Sequence, residues 1–340
     1  MIFHRSKAPL RLGFAGGGTD VAPFSDEYGG NILNATINMY AYATIRERED
    51  NTIGFELQDK REKYEYKSES ALPINGEIDL IKGIYNRVVK DYTHQPLSFD
   101  LYTYVDAPPG SGLGTSSTLV VAIIGAFVQW LQLPLGEYDI AQLAYDIERL
   151  DLNMAGGKQD QYAATFGGVN FMEFSKDKVI VNPLRIRSDY LNEWAYNTVL
   201  FYTETSRSSS DIIKRQQESV KNKDRKRIEA MHRIKQQAVM MKEAVLKGEL
   251  HKIGKVLDYG WQSKKVMAEG ITNPMIDELY DTAIKAGATG GKISGAGGGG
   301  FVFFYCPDNT RMNVVNALEK FKGRCRNFEF TTGGLITWTT

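Results

Sequence analysis

Pro108-Pro109-Gly110-Ser111-Gly112-Leu113-Gly114-Thr115-Ser116-Ser117 places three glycines within five residues and follows them with three hydroxyls. An alternating run from Leu97 to Val105 precedes it and reads as a strand, and a helix-like segment beginning Thr118-Leu119-Val120 follows. Strand, glycine loop and helix N-terminus is the order that a phosphate group requires. Glycines let the backbone come close and adopt positive φ. The first N–H groups of a helix point outward with partial positive charge and no partner. Hydroxyls at that position cap the helix or ligate a metal. A flexible loop with a hydroxyl cap is the competing reading, because glycine-rich strings also arise by chance. The rest of the chain decides.

With 340 residues, two domains with cores of their own are expected. The 41 Lys and Arg balance 41 Asp and Glu, so no global field favours nucleic acid or an anionic membrane. An anion must therefore be bound by a local constellation. Cys306 and Cys325 form no metal-like cluster with the four scattered histidines, and are expected to be reduced in a cytoplasmic protein. No secretory signal is visible, and the apolar run Leu119–Leu131 is too short to span a membrane.

Along the chain, Arg5, Lys7 and Arg11 alternate on a first strand, in which Pro9 requires an edge or a bulge. Ala15-Gly16-Gly17-Gly18-Thr19-Asp20 is another glycine loop, the first along the chain, better explained by close approach of a ligand than by a linker. Its Asp20 suits the hydroxyls of a polyol. Strands follow over 31–46, 53–57 and 63–67, and a helix over 79–92. After the phosphate-type loop, a helix from Gly136 carries Glu148 near its end. Gly156-Gly157 breaks it, and Asp160 begins or caps the next short helix. Taken singly, Glu148 is a solvated charge and Asp160 a cap. Together behind a phosphate loop they suit phosphoryl transfer, one carboxylate for magnesium and one beside the acceptor hydroxyl. The polar stretch 185–193 marks a boundary between domains 1–190 and 191–340. Beyond it, Ser206-Arg207-Ser208 heads a helix and could cradle an anion. Two or three long helices span 211–260. Lys292-Ile293-Ser294-Gly295-Ala296-Gly297-Gly298-Gly299-Gly300 is a third glycine loop feeding an apolar strand, and a helix over 311–321 and a last strand over 325–330 complete an α+β second domain.

The three loops, in this order and spacing and over the whole length, resemble the GHMP kinases (galactokinase, homoserine, mevalonate and phosphomevalonate kinases). The stretch from Ala8 to Asp20 is similar to the branch that acts on the anomeric hydroxyl of sugars, which includes heptose 7-phosphate kinases and the kinase domain of L-fucokinases. The resemblance implies an N-terminal domain like ribosomal protein S5 domain 2, a ferredoxin-like C-terminal domain, and ATP and sugar in the cleft between them. It implies that Pro109, Gly110, Ser111, Gly112, Leu113, Gly114, Thr115, Ser116 and Ser117 wrap ATP. Ser116, with Thr115 as the alternative, joins Glu148 on Mg2+. Asp160 falls on the catalytic aspartate and Arg11 on its basic partner. Gly17, Gly18, Thr19, Asp20, Gly295, Gly297 and Gly298 fall on the substrate side. Thr115 stands where serine is more usual and keeps the hydroxyl.

The expected reaction is phosphorylation of D-glycero-D-manno-heptose 7-phosphate to the 1,7-bisphosphate, toward nucleotide-activated heptose and cell-surface polysaccharide. An acceptor that is itself phosphorylated needs a cationic pocket, and Ser206, Arg207 and Ser208 are the preferred candidates over Lys7 and Lys158. A kinase of fucose or galactose is the alternative, and a non-catalytic sugar sensor the third. Expected partners are the sugar, ATP and a second copy in a homodimer, with no nucleic acid or membrane. Whether Asp160 removes the acceptor's proton or orients the hydroxyl stays open, because a carboxylate is a weak base for an alcohol.

Overall fold

The computed structural model describes residues 1–205 and 209–340, Ser209 by its backbone only. The N-terminal half is an eight-stranded sheet made of β1 (His4–Ala15), β2 (Gly30–Glu47), β3 (Thr52–Leu57), β4 (Glu62–Lys67), β5 (Phe99–Val105), β6 (Val169–Phe174), β7 (Val179–Pro183) and β12 (Ile336–Thr339). The order is β12-β1-β2-β5-β3-β4, with β6 on the far end of β2 and β7 beyond it. All pairs are antiparallel except β3 with β5. Alternation decides the faces. Ala41, Ala43 and Ile45 of β2 join Phe55, Phe99 and Leu101 against the helices, while Tyr40, Tyr42 and Thr44 face away.

Helices α2 (Asp79–Val88), α3 (Thr115–Leu131), α4 (Glu137–Asp146) and α5 (Gln159–Phe166) cover that inner face, and α1 (Phe24–Tyr28) is a single turn. Residues 120–127 of α3 are all buried, as its unbroken apolar composition requires of a central helix.

The second half begins at α6 (Ser188–Tyr196), which occupies the polar stretch expected as a boundary. Its sheet of β8 (Thr198–Tyr202), β9 (Gly290–Ile293), β10 (Phe301–Tyr305) and β11 (Arg324–Arg326) has the antiparallel order β11-β8-β10-β9. Numbered within this sheet, that is 4-1-3-2, the ferredoxin-like order. Helices α7 (Ser209–Lys221), α8 (Arg225–Lys247), α9 (Ile253–Met267) and α10 (Pro274–Lys285) connect β8 to β9, and α11 (Arg311–Leu318) connects β10 to β11. No helix among the described residues is long and apolar enough to cross a membrane.

Two expectations change. The strand foreseen at 325–330 is β11, and the chain continues to β12, which pairs with β1. Residues 336–339 thus belong to the first sheet although they lie within the span 191–340. Arg5, Lys7 and Arg11 also do not share an environment. The β1–β2 register shifts between Pro9 and Arg11, where proline cannot donate to the ladder. Arg5 and Lys7 stay half-exposed, and Arg11 is buried.

The two halves share one apolar core. Phe14 at the end of β1 lies 4.4 Å from Trp194 of α6 and 4.9 Å from Phe303 of β10, ring centre to ring centre. Trp194→Ala should therefore destabilise the whole chain by about 3–5 kcal/mol, the usual range for a large buried aromatic. Urea unfolding followed by far-UV circular dichroism measures it, and an unchanged midpoint would mean that this cluster does not join the halves.

Candidate functional site

The glycine loop 108–114 carries Gly110, Gly112 and Gly114 at φ of +72°, +83° and +78°. α3 then begins at Thr115 with no side-chain cap, so the capped-loop reading fails and its first N–H groups remain open. The loop is pressed onto the third glycine loop. Ser294 Oγ donates to the Gly112 carbonyl at 2.8 Å, and Phe301 N donates to the Ser111 carbonyl at 2.9 Å. A Cβ on Gly112 would come within 2.5 Å of the Ser294 carbonyl oxygen, in addition to the strain of its φ.

Arg11 reaches the same place from β1. Its Nε and Nη2 both donate to Asp160 Oδ1 at 2.7 Å, and its Nη1 donates to the Gly112 carbonyl. Asp160, in the first turn of α5, is partly open to the cleft and stands directly beneath Gly114. Asp20 is buried in the first glycine loop. Its Oδ2 accepts from the Gln159 amide at 3.0 Å and its Oδ1 from the Gly18 amide at 3.3 Å. Asp20, not Asp160, therefore caps α5. Burial, with Asp160 nearby, raises the Asp20 pKa against the pull of these amides.

Glu148 sits in a π-helical turn (Ile147–Asp151) continuing α4 and is buried. Ser117 Oγ donates to it at 3.1 Å, Gln161 Nε2 donates to its other oxygen, and Arg149 lies 3.6 Å away. Burial raises its pKa above that of an ordinary glutamate. Ser116, one step round the helix, is exposed beside it. Among the described residues no three His, Cys, Asp or Glu side chains cluster as a metal cage. Magnesium in nucleotide sites takes most of its ligands from phosphate and water, so one carboxylate beside the loop fits its chemistry.

Arg11, Gly17, Gly18, Asp20, Gly110, Gly112, Gly114, Thr115, Ser116, Ser117, Glu148, Asp160, Gly295 and Gly297 all line a single cleft of about 200 Å3. Pro109, Ser111, Leu113 and Gly298 shape the loops without lining it. Thr19 is fully buried, and its hydroxyl donates to the Gly16 carbonyl at 2.8 Å, so it holds its own loop rather than facing a substrate. Lys7 lies over the Tyr40 ring on the outer sheet face, and Lys158 donates to the Ser175 carbonyl at 3.0 Å. Neither lines the cleft. Ser206, Arg207 and Ser208 lie outside the described residues.

Sequence reading missed Lys264 and Lys292, both buried and both in the cleft wall. Lys264 falls on the buried stripe Leu257, Trp261, Met267 of α9, where a lysine is anomalous. That anomaly was the available signal.

Family models for the GHMP kinases N-terminal domain and the GHMP kinases C-terminal domain match residues 79–168 and 241–324. A D-glycero-alpha-D-manno-heptose 7-phosphate kinase of Campylobacter jejuni is 50% identical over 337 residues, 98% of each chain. The chain belongs to the GHMP kinases. A D-glycero-D-manno-heptose 1-phosphate kinase structure from Bacteriodes thetaiotaomicron matches this GHMP kinase with a TM-score of 0.83 at 47% identity, covering 98% of both. Lactococcus lactis galactokinase with galactose shares the fold, with a TM-score of 0.79 at 21% identity over 98% of this chain and 95% of that one. Membership makes the protein a phosphotransferase that uses ATP and a hydroxyl acceptor.

Burial, with Arg11 nearby, pushes the Lys264 ammonium from 10.5 down to about 8. Between those values the unfolded chain binds the proton that the folded GHMP kinase does not. Ligand-free stability should therefore gain from this group as pH rises from 8 toward 10.5. In Lys264→Met the slope of unfolding free energy against pH in that window should fall, by at most about 1.4 kcal/mol per pH unit. Urea titrations at pH 7.5 to 10 check this, and equal slopes would contradict it.

Proposed function

We propose that this GHMP kinase transfers the γ-phosphoryl group of ATP to the anomeric hydroxyl of D-glycero-D-manno-heptose 7-phosphate, giving the 1,7-bisphosphate. That product suits synthesis of nucleotide-activated heptose. The observation that carries the chemistry is the Arg11–Asp160 pair, at 2.7 Å, held against the open amide end of α3. The acceptor follows from the identity of 50% and 47%, end to end, to two heptose phosphate kinases.

In this reading the α3 amides and the loop 110–114 grip the ATP phosphates, as Ser116 and Glu148 would hold Mg2+, with Ser117 and Gln161 orienting the carboxylate. Magnesium held there would neutralise phosphate charge. Asp20, with the backbone of Gly17 and Gly18, takes sugar hydroxyls, and Gly295 and Gly297 border the sugar. The anomeric oxygen forms the new bond to phosphorus as the bond from the γ-phosphorus to the oxygen bridging it to the β-phosphate breaks, and its proton passes to Asp160. Arg11 offsets the charge gathering there. Positioning and charge stabilisation supply most of the rate, because phosphoryl transfer has a loose transition state. The free thiols of Cys306 and Cys325 agree with a cytoplasmic location.

A homodimer is part of the proposal, through the outer face of the first sheet. There Tyr42 and Tyr104 are cross-strand neighbours, and Arg5, Thr44, Tyr102 and Glu56 form one row across four strands. Aromatic centres with charged ends suit such a contact.

Turnover of ATP with heptose 7-phosphate should exceed that with L-fucose, galactose or mannose by at least about 100-fold, since a site built for a phosphate strongly disfavours acceptors lacking it. Preference for a neutral sugar would replace the acceptor. Asp160→Asn should lower kcat by roughly 100- to 10,000-fold while ATP still binds, as loss of a general base does. Full turnover by that variant would remove Asp160 from catalysis. Sedimentation equilibrium should show a dimer that Tyr42→Lys dissociates, and a wild-type monomer would end the dimer reading.

A further inference from the structure

The four basic side chains that line the cleft, Arg11, Arg149, Lys264 and Lys292, outnumber its carboxylates, Asp20, Glu148 and Asp160. Arg11 is paired with Asp160 and Arg149 with Glu148. Lys264 and Lys292 have no carboxylate within ion-pair distance among the described residues. Lys264 Nζ donates to the Gly295 carbonyl of the third glycine loop. Lys292 Nζ donates to the Gly13 carbonyl at 2.6 Å, just before the first loop. Each ammonium carries three donors, and each has this one acceptor among the described residues. Both are at least 95% buried.

An ammonium group held out of water with no carboxylate in contact is costly to a fold, and Asp20 acts on Lys264 only from beyond ion-pair distance. The two lysines are also close enough to repel each other and Arg11, which together with burial lowers the Lys292 pKa well below that of an ordinary lysine. A group placed this way in a cleft wall is poised for a charge that arrives from outside. Neither lysine belongs to the amide-lined end of α3.

We propose that Lys264 and Lys292 form an anion subsite between the first and third glycine loops, apart from the nucleotide-phosphate loop, that takes a phosphoryl group. It rests on the kinase reading above only for the source of that group. One source is the distal phosphate of the acceptor; the other is the γ-phosphoryl group in transit. A phosphoryl dianion would accept from the free N–H groups of both lysines and offset their charge.

Lys264→Met and Lys292→Met keep side-chain length and remove the charge. With ADP saturating, inorganic phosphate should raise the wild-type melting temperature, and either variant should lose that response. Without ligands both variants should melt at or above the wild-type temperature, because a buried unbalanced charge is gone. A lower ligand-free melting temperature, or an unchanged phosphate response, would overturn the subsite and leave these lysines as structural ties between loops. Kinetics separate the two sources. An acceptor phosphate predicts a rise of about 100-fold in KM for heptose 7-phosphate, the scale of charged hydrogen bonds lost, with KM for ATP unchanged. A group in transit predicts a fall in kcat of that size with both KM values kept. Wild-type kcat and KM in both variants would overturn the proposal. Should the enzyme prefer another sugar, the phosphate-dependent melting shift still decides the subsite by itself.

Discussion

The guanidinium of Arg11 ties the site together. It is buried, donates to Asp160 and to the Gly112 carbonyl, and projects from the strand whose own amide at that residue donates to the Leu113 carbonyl at 3.3 Å. One residue thus fixes the distance from the acceptor-side carboxylate to the phosphate loop. The same strand runs on into the first glycine loop, where Asp20 accepts from the amide next to Asp160 in sequence. Asp160 is consequently held from two sides by a single stretch of ten residues. A carboxylate fixed in this way needs no reorganisation when substrate arrives, which is what electrostatic preorganisation requires.

The second and third loops are coupled just as directly. A Cβ on Gly295 would come within 2.8 Å of Gly112 Cα, and its φ of +70° already favours glycine. At Gly112 and Gly295 the two loops touch backbone to backbone. Side chains there would hold the loops apart and move the helix terminus away from the groups that face it. The glycine content is thus a demand of loop-on-loop packing as well as of phosphate approach.

What could be read from the sequence was what the backbone dictates. Glycine spacing before an apolar helix, proline in a strand and a carboxylate after a Gly-Gly break all act locally, and all three loops, the bulge near Pro9 and Asp160 were legible. The phase of α3 was not. Ser116 and Ser117 are adjacent in sequence but about 100° apart on α3, and it is Ser117 that meets Glu148. Thr19 looked like a ligand-facing hydroxyl because nothing local shows that its loop folds over it. Lys264 and Lys292 were hidden for another reason. Their partners are backbone carbonyls from loops far away in sequence, and a carbonyl has no residue identity to read. The four residues of β12 were missed because an edge strand this short carries too little alternation to stand out.

The placement of these loops depends in turn on the core below them. Phe14 lies two residues before the first glycine loop and Phe303 three residues after the third, and their rings are 4.9 Å apart. The ring pair ties the strand that enters the first loop to the strand that leaves the third, and the two lysines donate to carbonyls of Gly13 and Gly295 at those loops. Losing a proton is how two buried ammonium groups relieve mutual repulsion, and burial with the neighbouring charges shifts both lysines toward the neutral form. An anion in the cleft favours the charged form instead, which is the balance that the proposed subsite would supply. The apolar core thus acts on the chemistry through geometry, by holding together the loops whose carbonyls the two lysines meet.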